Sequence, residues 1–229
     1  MIDLVRKLRR LLRVAQGRDL FVVPTIQTMT ETLTSLGAPW TVAPAHLDSD
    51  EVALTFGIGT DLGFELALAS RFNMTVHAFD PTPRSGDWIR TQRLPDGLKF
   101  HAMGLSAADG VQRFEEPELG HHVSFSAVTR SGRPGVELPV KRLHSIARDL
   151  GDPPISLLKM DIEGSEYAVI DDMPNHQVRP TQILIEFHHR FANFGPSDTR
   201  NAITTLRSLG YEIAHVASNG EEFLFLKTA

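Results

Sequence analysis

A chain of 229 residues, 41% hydrophobic and 22% charged, has the size and composition of one globular domain with a large core. Its net charge of −5 speaks against a surface that coats nucleic acid, and the lack of cysteine excludes disulfides, thiolate zinc sites and a cysteine nucleophile. No apolar run approaches the roughly 20 residues of a membrane span, the start reads as a poor signal peptide, and a cytoplasmic location is expected.

The opening, "MIDLVRKLRRLLRVA", is an amphipathic helix pattern. Leu4, Leu8, Leu11, Leu12 and Ala15 share one face, and Arg6, Lys7, Arg9, Arg10 and Arg13 fill the rest. The expected use of the apolar face is docking on the chain's own domain; the alternative is an anionic membrane surface or a partner. A second helix is predicted near Ile26 to Leu36. Residues 1–45 are therefore expected to form a helical extension, and residues 46–229 the main domain.

From Val52 onward the pattern alternates. Strands are predicted at Val52–Phe56, Thr75–Phe79, Lys99–Met103, Ser156–Asp161 and Gln182–Phe187. The intervening helices are Leu62–Arg71, Asp87–Gln92, Arg142–Leu150 and Glu166–Asp171, with one more near Asp198–Leu209. Near-continuous apolar strands separated by helices imply an α/β fold: a mostly parallel twisted sheet covered on both faces, with ligands at the carboxyl ends of its strands. Asp109 to Lys141 reads as an irregular insertion with short extended pieces. The end, "YEIAHVASNGEEFLFLK", places two strand-like runs around Asn219-Gly220, a strong hairpin signal. A parallel α/β sheet closed by an antiparallel hairpin is the arrangement expected of Rossmann-like methyltransferases that use S-adenosylmethionine (SAM).

Four stretches carry candidate chemistry. In "VALTFGIGTDLGFELALAS" a strand meets a glycine turn and then a helix. That order brings a helix N-terminus to a ligand, but the spacing Gly-x-Gly-x-x-x-Gly departs from the dinucleotide fingerprint. In "VHAFDPTPRS", Asp80 follows the next strand at about the distance from the glycine turn where a carboxylate accepts both ribose hydroxyls. A free 2′-hydroxyl suits NAD and SAM alike, and SAM, lacking a pyrophosphate, does not need the third glycine. In "LLKMDIEGSEYAVIDDM" and "ILIEFHHRF", two strands end in Asp161, Glu163, Glu186 and His188, with alternation turning each pair to one side. Glu166 is read as an ordinary acid in the first turn of a helix. Asp161, Glu186 and His188 are the expected catalytic residues and Glu163 an acceptor-binding one. A hydroxyl acceptor needs orientation and a base, and histidine titrates near neutrality. The competing device is a divalent cation on Asp161, Glu186 and His188; with no dedicated metal motif, the metal-free reading is preferred.

The stretches "FGIGTDLGFELAL", "VHAFDPTPRS", "GLSAADG", "LLKMDIEGSEYAVI" and "ILIEFHH" resemble the FkbM-type SAM-dependent methyltransferases, in the right order from Val52 to His189. The resemblance implies a Rossmann-like methyltransferase fold, S-adenosyl-L-methionine as donor, and O-methylation of a sugar, glycan or polyketide-like hydroxyl; the alternatives are a SAM-binding module without turnover and a methyltransferase acting on a protein or other macromolecule. It assigns Gly57, Gly59 and Asp61 to the methionine and ribose end of the donor, Asp80 to the ribose, and Gly104, Leu105 and Ser106 to the adenine. Two positions depart from the broader methyltransferase pattern: Thr55 stands where an acid precedes the first glycine, and Asp61 where the third glycine falls. The donor's ammonium group is left to Asp61 or Asp161.

Overall fold

The computed structural model describes residues 10–33, 39–115 and 135–228. In chain order the N-terminal helix (α1, residues 10–15) is followed by a small antiparallel pair, β1 (Glu31–Leu33) and β2 (Trp40–Val42). The alternating part contains β3 (Val52–Phe56), α2 (Gly63–Arg71), β4 (Thr75–Phe79), α3 (Pro83–Ile89) and β5 (Leu98–His101). Next come three strands that pair among themselves, β6 (Gly104–Leu105), β7 (Gly110–Glu115) and β8 (Gly135–Lys141), and then α4 (Leu143–Asp149). The chain closes with β9 (Ile155–Met160), α5 (Glu166–Asp172), β10 (Gln182–Glu186), α6 (Pro196–Ser208), β11 (Tyr211–Val216) and β12 (Glu222–Lys227).

The main sheet runs β11-β12-β10-β9-β3-β4-β5. Strands β10, β9, β3, β4 and β5 are parallel, and β12 is antiparallel to both β10 and β11. The alternating side chains bury both faces. Leu54, Phe56, Leu158, Met160, Ile183 and Ile185 pack with α5 and α6, whereas Ala53, Val76, Ala78, Leu157 and Leu184 pack with α2 and Trp40. Two-sided burial is why these strands read as unbroken apolar runs. From β3 the sheet grows one way through β4 and the other way through β9. The carboxyl ends of β3 and β9 therefore flank the switch point, where an open parallel sheet leaves room for a ligand.

Several expectations are corrected. No helix covers 26–33. Residues 31–33 form β1, whose Thr32 hydroxyl hydrogen-bonds that of Thr41 at 2.9 Å, while Leu33 and Trp40 enter the core. The run "TIQTMTETLT" is rich in threonine, which favours a pleated, half-buried surface over a helix; residues 34–36 lie outside the described residues. Helix α3 begins four residues earlier than expected, because Thr82 caps it, accepting from the Ser85 amide at 3.3 Å, and Pro83 fits the first turn. The short extended pieces expected within 109–141 are β7 and β8, paired over six positions; residues 116–134 lie outside the described residues. Finally, α1 does not bury its leucines. Leu11 and Leu12 are more than half exposed, and the inward contact is Arg10, which donates to Leu20 O at 3.1 Å. Leu4 and Leu8 lie outside the described residues.

Candidate functional site

The glycine turn after β3 sits where two strand ends touch. Gly57 has φ +79° and Gly59 φ +55°, conformations that favour glycine. A Cβ on Gly57 would lie 1.7 Å from the carbonyl oxygen of Asp161, so the close approach of β3 and β9 requires hydrogen at this position. Asp80, buried at the end of β4, ties the turn to the following loop. Its Oδ2 accepts from the Gly59 amide at 2.9 Å, and its Oδ1 accepts from the Thr82 amide at 2.9 Å and the Thr82 hydroxyl at 2.6 Å.

Behind the turn lies a buried polar pair that the sequence reading missed. Lys159 donates to Gly57 O at 3.4 Å and lies 4.9 Å from the centre of the Trp40 ring. Glu65 of α2 is buried beside it; burial raises its pKa against the pull of Lys159. The strand position where related folds carry an acid is the buried Thr55, and here the carboxylate on that side of the sheet comes from the helix instead.

In front of the turn opens a half-enclosed cleft, walled by the ends of β3, β4 and β9. Seven of the expected residues line it: Gly57, Gly59, Asp80, Gly104, Leu105, Asp161 and Glu163. Phe79 and Phe114 add apolar walls, the latter from the β7–β8 insertion. Gly104 is closely packed, since a Cβ there would meet Val140 and Pro81 at 3.1 and 3.2 Å. Two expected residues are turned to other work. Asp61 accepts the Gly63 amide at 2.9 Å and so closes the turn that leads into α2, and Ser106 donates to Gln112 at 2.8 Å; neither lines the cleft. Of the two carboxylates considered for an ammonium group, Asp161 is the one that lines it.

Along the rim, β9 and β10 deliver the acidic edge. Asp161, Glu186 and His188 each offer an atom within 4.8 Å of the others. The partner that orients His188 is not Glu186, however, but Glu166. Its fully buried carboxylate accepts from the His188 ring at Nδ1 (2.8 Å), from the His188 amide (2.9 Å) and, through its other oxygen, from the Gly164 amide (2.9 Å). Glu166 is thus more than a first-turn acid. It lies on the same stripe as Tyr167, Val169 and Ile170, the face of α5 that enters the core, and that spacing was the available signal. Because Nδ1 faces a carboxylate, Nε2 is the nitrogen turned to the site, 3.8 Å from Asp161 and 3.7 Å from Glu163.

The electrostatics of this edge are those of excess negative charge. Burial works to lower the His188 pKa, but the hydrogen bond to Glu166 and the charges of Glu166, Glu163 and Asp161 raise it to about 10. Burial, reinforced by the charge of Asp161, pushes Glu186 up to about 8, and burial raises Asp161 as well. Such a site is complementary to a cationic ligand.

Among the described residues, two groups of side chains have the composition of a metal site. One is the Asp161–Glu186–His188 edge itself. The other, His144–Asp172–His176, lies outside the cleft and is already engaged. Arg142 pairs with both oxygens of Asp172, and the Val178 amide donates to His176 Nδ1 at 3.3 Å, which leaves the proton of a neutral ring on Nε2.

The strand order, the cleft at its switch point and the reversed strand β12 define a mixed α/β fold whose largely parallel sheet is closed by an antiparallel hairpin. The methyltransferase FkbM domain matches residues 55–213, and the chain belongs to that family. It is 24% identical over 152 residues to the probable methyltransferase-like protein 24 of Rattus norvegicus, a match covering 65% of this chain and 36% of that protein. The chain therefore spans about a third of that relative's length. A crystal structure of a methyltransferase from Pyrococcus furiosus aligns over 98% of both chains, with 12% identity and a TM-score of 0.40.

Proposed function

We propose that this methyltransferase is SAM-dependent and methylates a hydroxyl oxygen, on an acceptor that is a sugar, a glycan or a polyketide-like small molecule. The observation that carries the reading is the buried Glu166–His188 pair beside a cleft that ends in a glycine turn: an oriented base next to a donor site. Bound SAM supplies a methyl group on a cationic sulfur.

The chain's own residues have distinct tasks. Gly57 and Gly59 let the backbone approach the donor, Asp80 takes its ribose, and Gly104 and Leu105 flank the adenine. Asp161 faces the ammonium group, and Glu163 and Glu186 hold the acceptor. His188 Nε2 receives the hydroxyl proton as oxygen bonds to the methyl carbon and the carbon–sulfur electron pair returns to sulfur. Glu166 keeps the ring in the tautomer that makes this transfer work. In the free protein the carboxylates favour imidazolium. The donor's positive charge opposes that proton, so the base becomes available where the methyl group is.

The acceptor test is methyl-labelled SAM, the full chain and fractionated extract of its source cell. Label is expected in the small-molecule or glycan fraction and is expected to survive exhaustive chelation. Label confined to protein or nucleic acid would overturn the acceptor class. Activity lost to the chelator and restored by magnesium or manganese would move the work from the base to a cation on Asp161, Glu186 and His188.

The donor site is tested at Asp80. Asp80→Ala is expected to weaken SAM binding by about 1.5–3 kcal/mol, the range for a hydrogen bond to a charged group, or roughly 10- to 150-fold. Calorimetry with SAM, alongside thermal unfolding to register the loosened Gly59 and Thr82 amides, decides it. Unchanged affinity would remove Asp80 from the donor site.

A further inference from the structure

The charge of this chain is unevenly divided. Six of its 23 Lys and Arg residues fall within residues 1–18 (Arg6, Lys7, Arg9, Arg10, Arg13 and Arg18) against one acid, Asp3, although the whole chain carries −5. Within the described part of the chain, residues 10–23 leave four large apolar side chains uncovered. Leu11 is 54% exposed, Leu12 63%, Phe21 68% and Val23 55%, with Arg13 and Arg18 exposed among them. Single exposed leucines are ordinary, but a concentration of large apolar side chains interleaved with arginine is not.

The segment is nevertheless firmly fastened by its polar groups. Arg10 packs against the hairpin turn, where a Cβ on Gly220 would lie 2.2 Å from its Nε, and its guanidinium donates to Leu20 O. Asp19 is 2% exposed and accepts from its neighbour's amide at 2.7 Å; it contacts His189 Nε2 at 3.1 Å and Arg190 Nη2 at 2.6 Å. Farther on, the Thr25 and Ile26 amides both donate to Ile213 O, at 2.7 and 3.2 Å. Arg10, Asp19, Leu20 and Val22 thus face the domain, whereas Leu11, Leu12, Phe21 and Val23, with Arg13 and Arg18, are presented outward. Interfacial segments have this arrangement: apolar side chains enter the headgroup–acyl boundary while arginines meet anionic headgroups.

We propose that residues 10–23 seat the protein on an anionic phospholipid bilayer, through Leu11, Leu12, Phe21 and Val23 with Arg13 and Arg18. Charge complementarity selects this occupant. The strap joins the domain at His189 and Arg190, directly after His188, so the lipid-facing segment is fastened beside the candidate catalytic rim. The inference does not depend on the methyl acceptor or on the donor.

The test is sedimentation of the full chain with vesicles of phosphatidylcholine alone and with roughly one-third phosphatidylserine. Binding is expected to be at least about tenfold tighter to the anionic vesicles and to weaken with salt. Leu11→Glu/Leu12→Glu and, separately, Arg13→Glu/Arg18→Glu are each expected to reduce binding about tenfold or more while leaving the melting temperature unchanged, because all four side chains are exposed. Equal binding to both vesicles, no binding to either, or unchanged binding by the leucine variant would overturn the proposal. So would a dimer in sedimentation velocity that the leucine variant abolishes without any vesicle binding by the parent chain, because the face would then belong to a second copy.

Discussion

His188→Ala is expected to lower methyl transfer by about 100- to 10,000-fold, the usual contribution of a positioned base, with SAM affinity changed only a few-fold. Glu166→Gln separates the base from its orienting partner. It keeps the side chain's volume but sets an amide N–H against the Gly164 or His188 amide, a mismatch that costs about 1–3 kcal/mol of stability. Its larger signature lies in the pH profile. The parent's kcat/KM is expected to rise with pH, because the free protein holds His188 as imidazolium up to about pH 10 and only the neutral ring accepts a proton. The hydrogen bond and charge of Glu166 help to raise that pKa, so Glu166→Gln is expected to move the rising limb to lower pH as well as to reduce kcat. Steady-state kinetics from neutral to alkaline pH checks both. Full activity in His188→Ala, or a lower kcat in Glu166→Gln with an unmoved limb, would return these residues to a purely structural role.

Gly57→Ala is expected to be the most damaging single change to the donor site. The new methyl carbon would meet Asp161 O at 1.7 Å and Asp161 C at 2.8 Å, and both are backbone atoms that no rotamer change can clear. Strain at φ +79° adds to this. Together, backbone strain and overpacking, each roughly 1–3 kcal/mol, lower stability by about 2–6 kcal/mol. The carboxyl ends of β3 and β9 would be forced apart where the cleft begins, and SAM affinity is expected to fall by at least about 100-fold, or about 2.7 kcal/mol. Gly17→Ala is the matched control. It carries the same positive φ (+68°) with nothing within 4 Å of the added carbon, so it isolates strain from contact. Denaturant unfolding and calorimetry measure the two terms. A Gly57→Ala protein that unfolds like its parent and binds SAM equally well would show that the strand ends can separate freely, and the geometric argument would fail.

Strands β3, β4, β9 and β10 were legible from sequence within a residue or so because burial on both faces leaves an apolar run that little else produces. Asp80 and Asp161 could be placed at the cleft because a strand end plus its sheet position determines where a side chain emerges; Glu163, three residues past β9 at φ +53°, reaches the cleft through the turn instead. The hairpin was legible from Asn219-Gly220. The departures have equally specific causes. Helix α3 starts at Pro83 and not at Asp87, because Thr82 caps it and proline's locked φ and missing N–H suit a first turn. The threonine-rich stretch 25–34 satisfied an apolar spacing for helix while its β-branched residues favoured β1. Asp61 and Ser106 sat at the expected positions, yet local hydrogen bonds to the Gly63 amide and Gln112 turn them away from the cleft.

The sequence by itself determined the order of strands and helices, the hairpin, the glycine turn and the carboxylates at the strand ends, because each rests on contacts within a few residues or on a local burial period. Tertiary structure alone decided which groups meet across the chain. Glu166 reaches His188 over 22 positions, Asp19 reaches Arg190 over 171, and the Asp161 carbonyl closes on Gly57. It also decided which face of α1 is buried: a leucine stripe and an arginine stripe are both available on that helix, and the carbonyl of Leu20 and the space over Gly220 select Arg10. Periodicity reports that a helix has two faces. Which one turns inward depends on the partner surface, and that surface exists only once the distant strands β11 and β12 have folded against the rest.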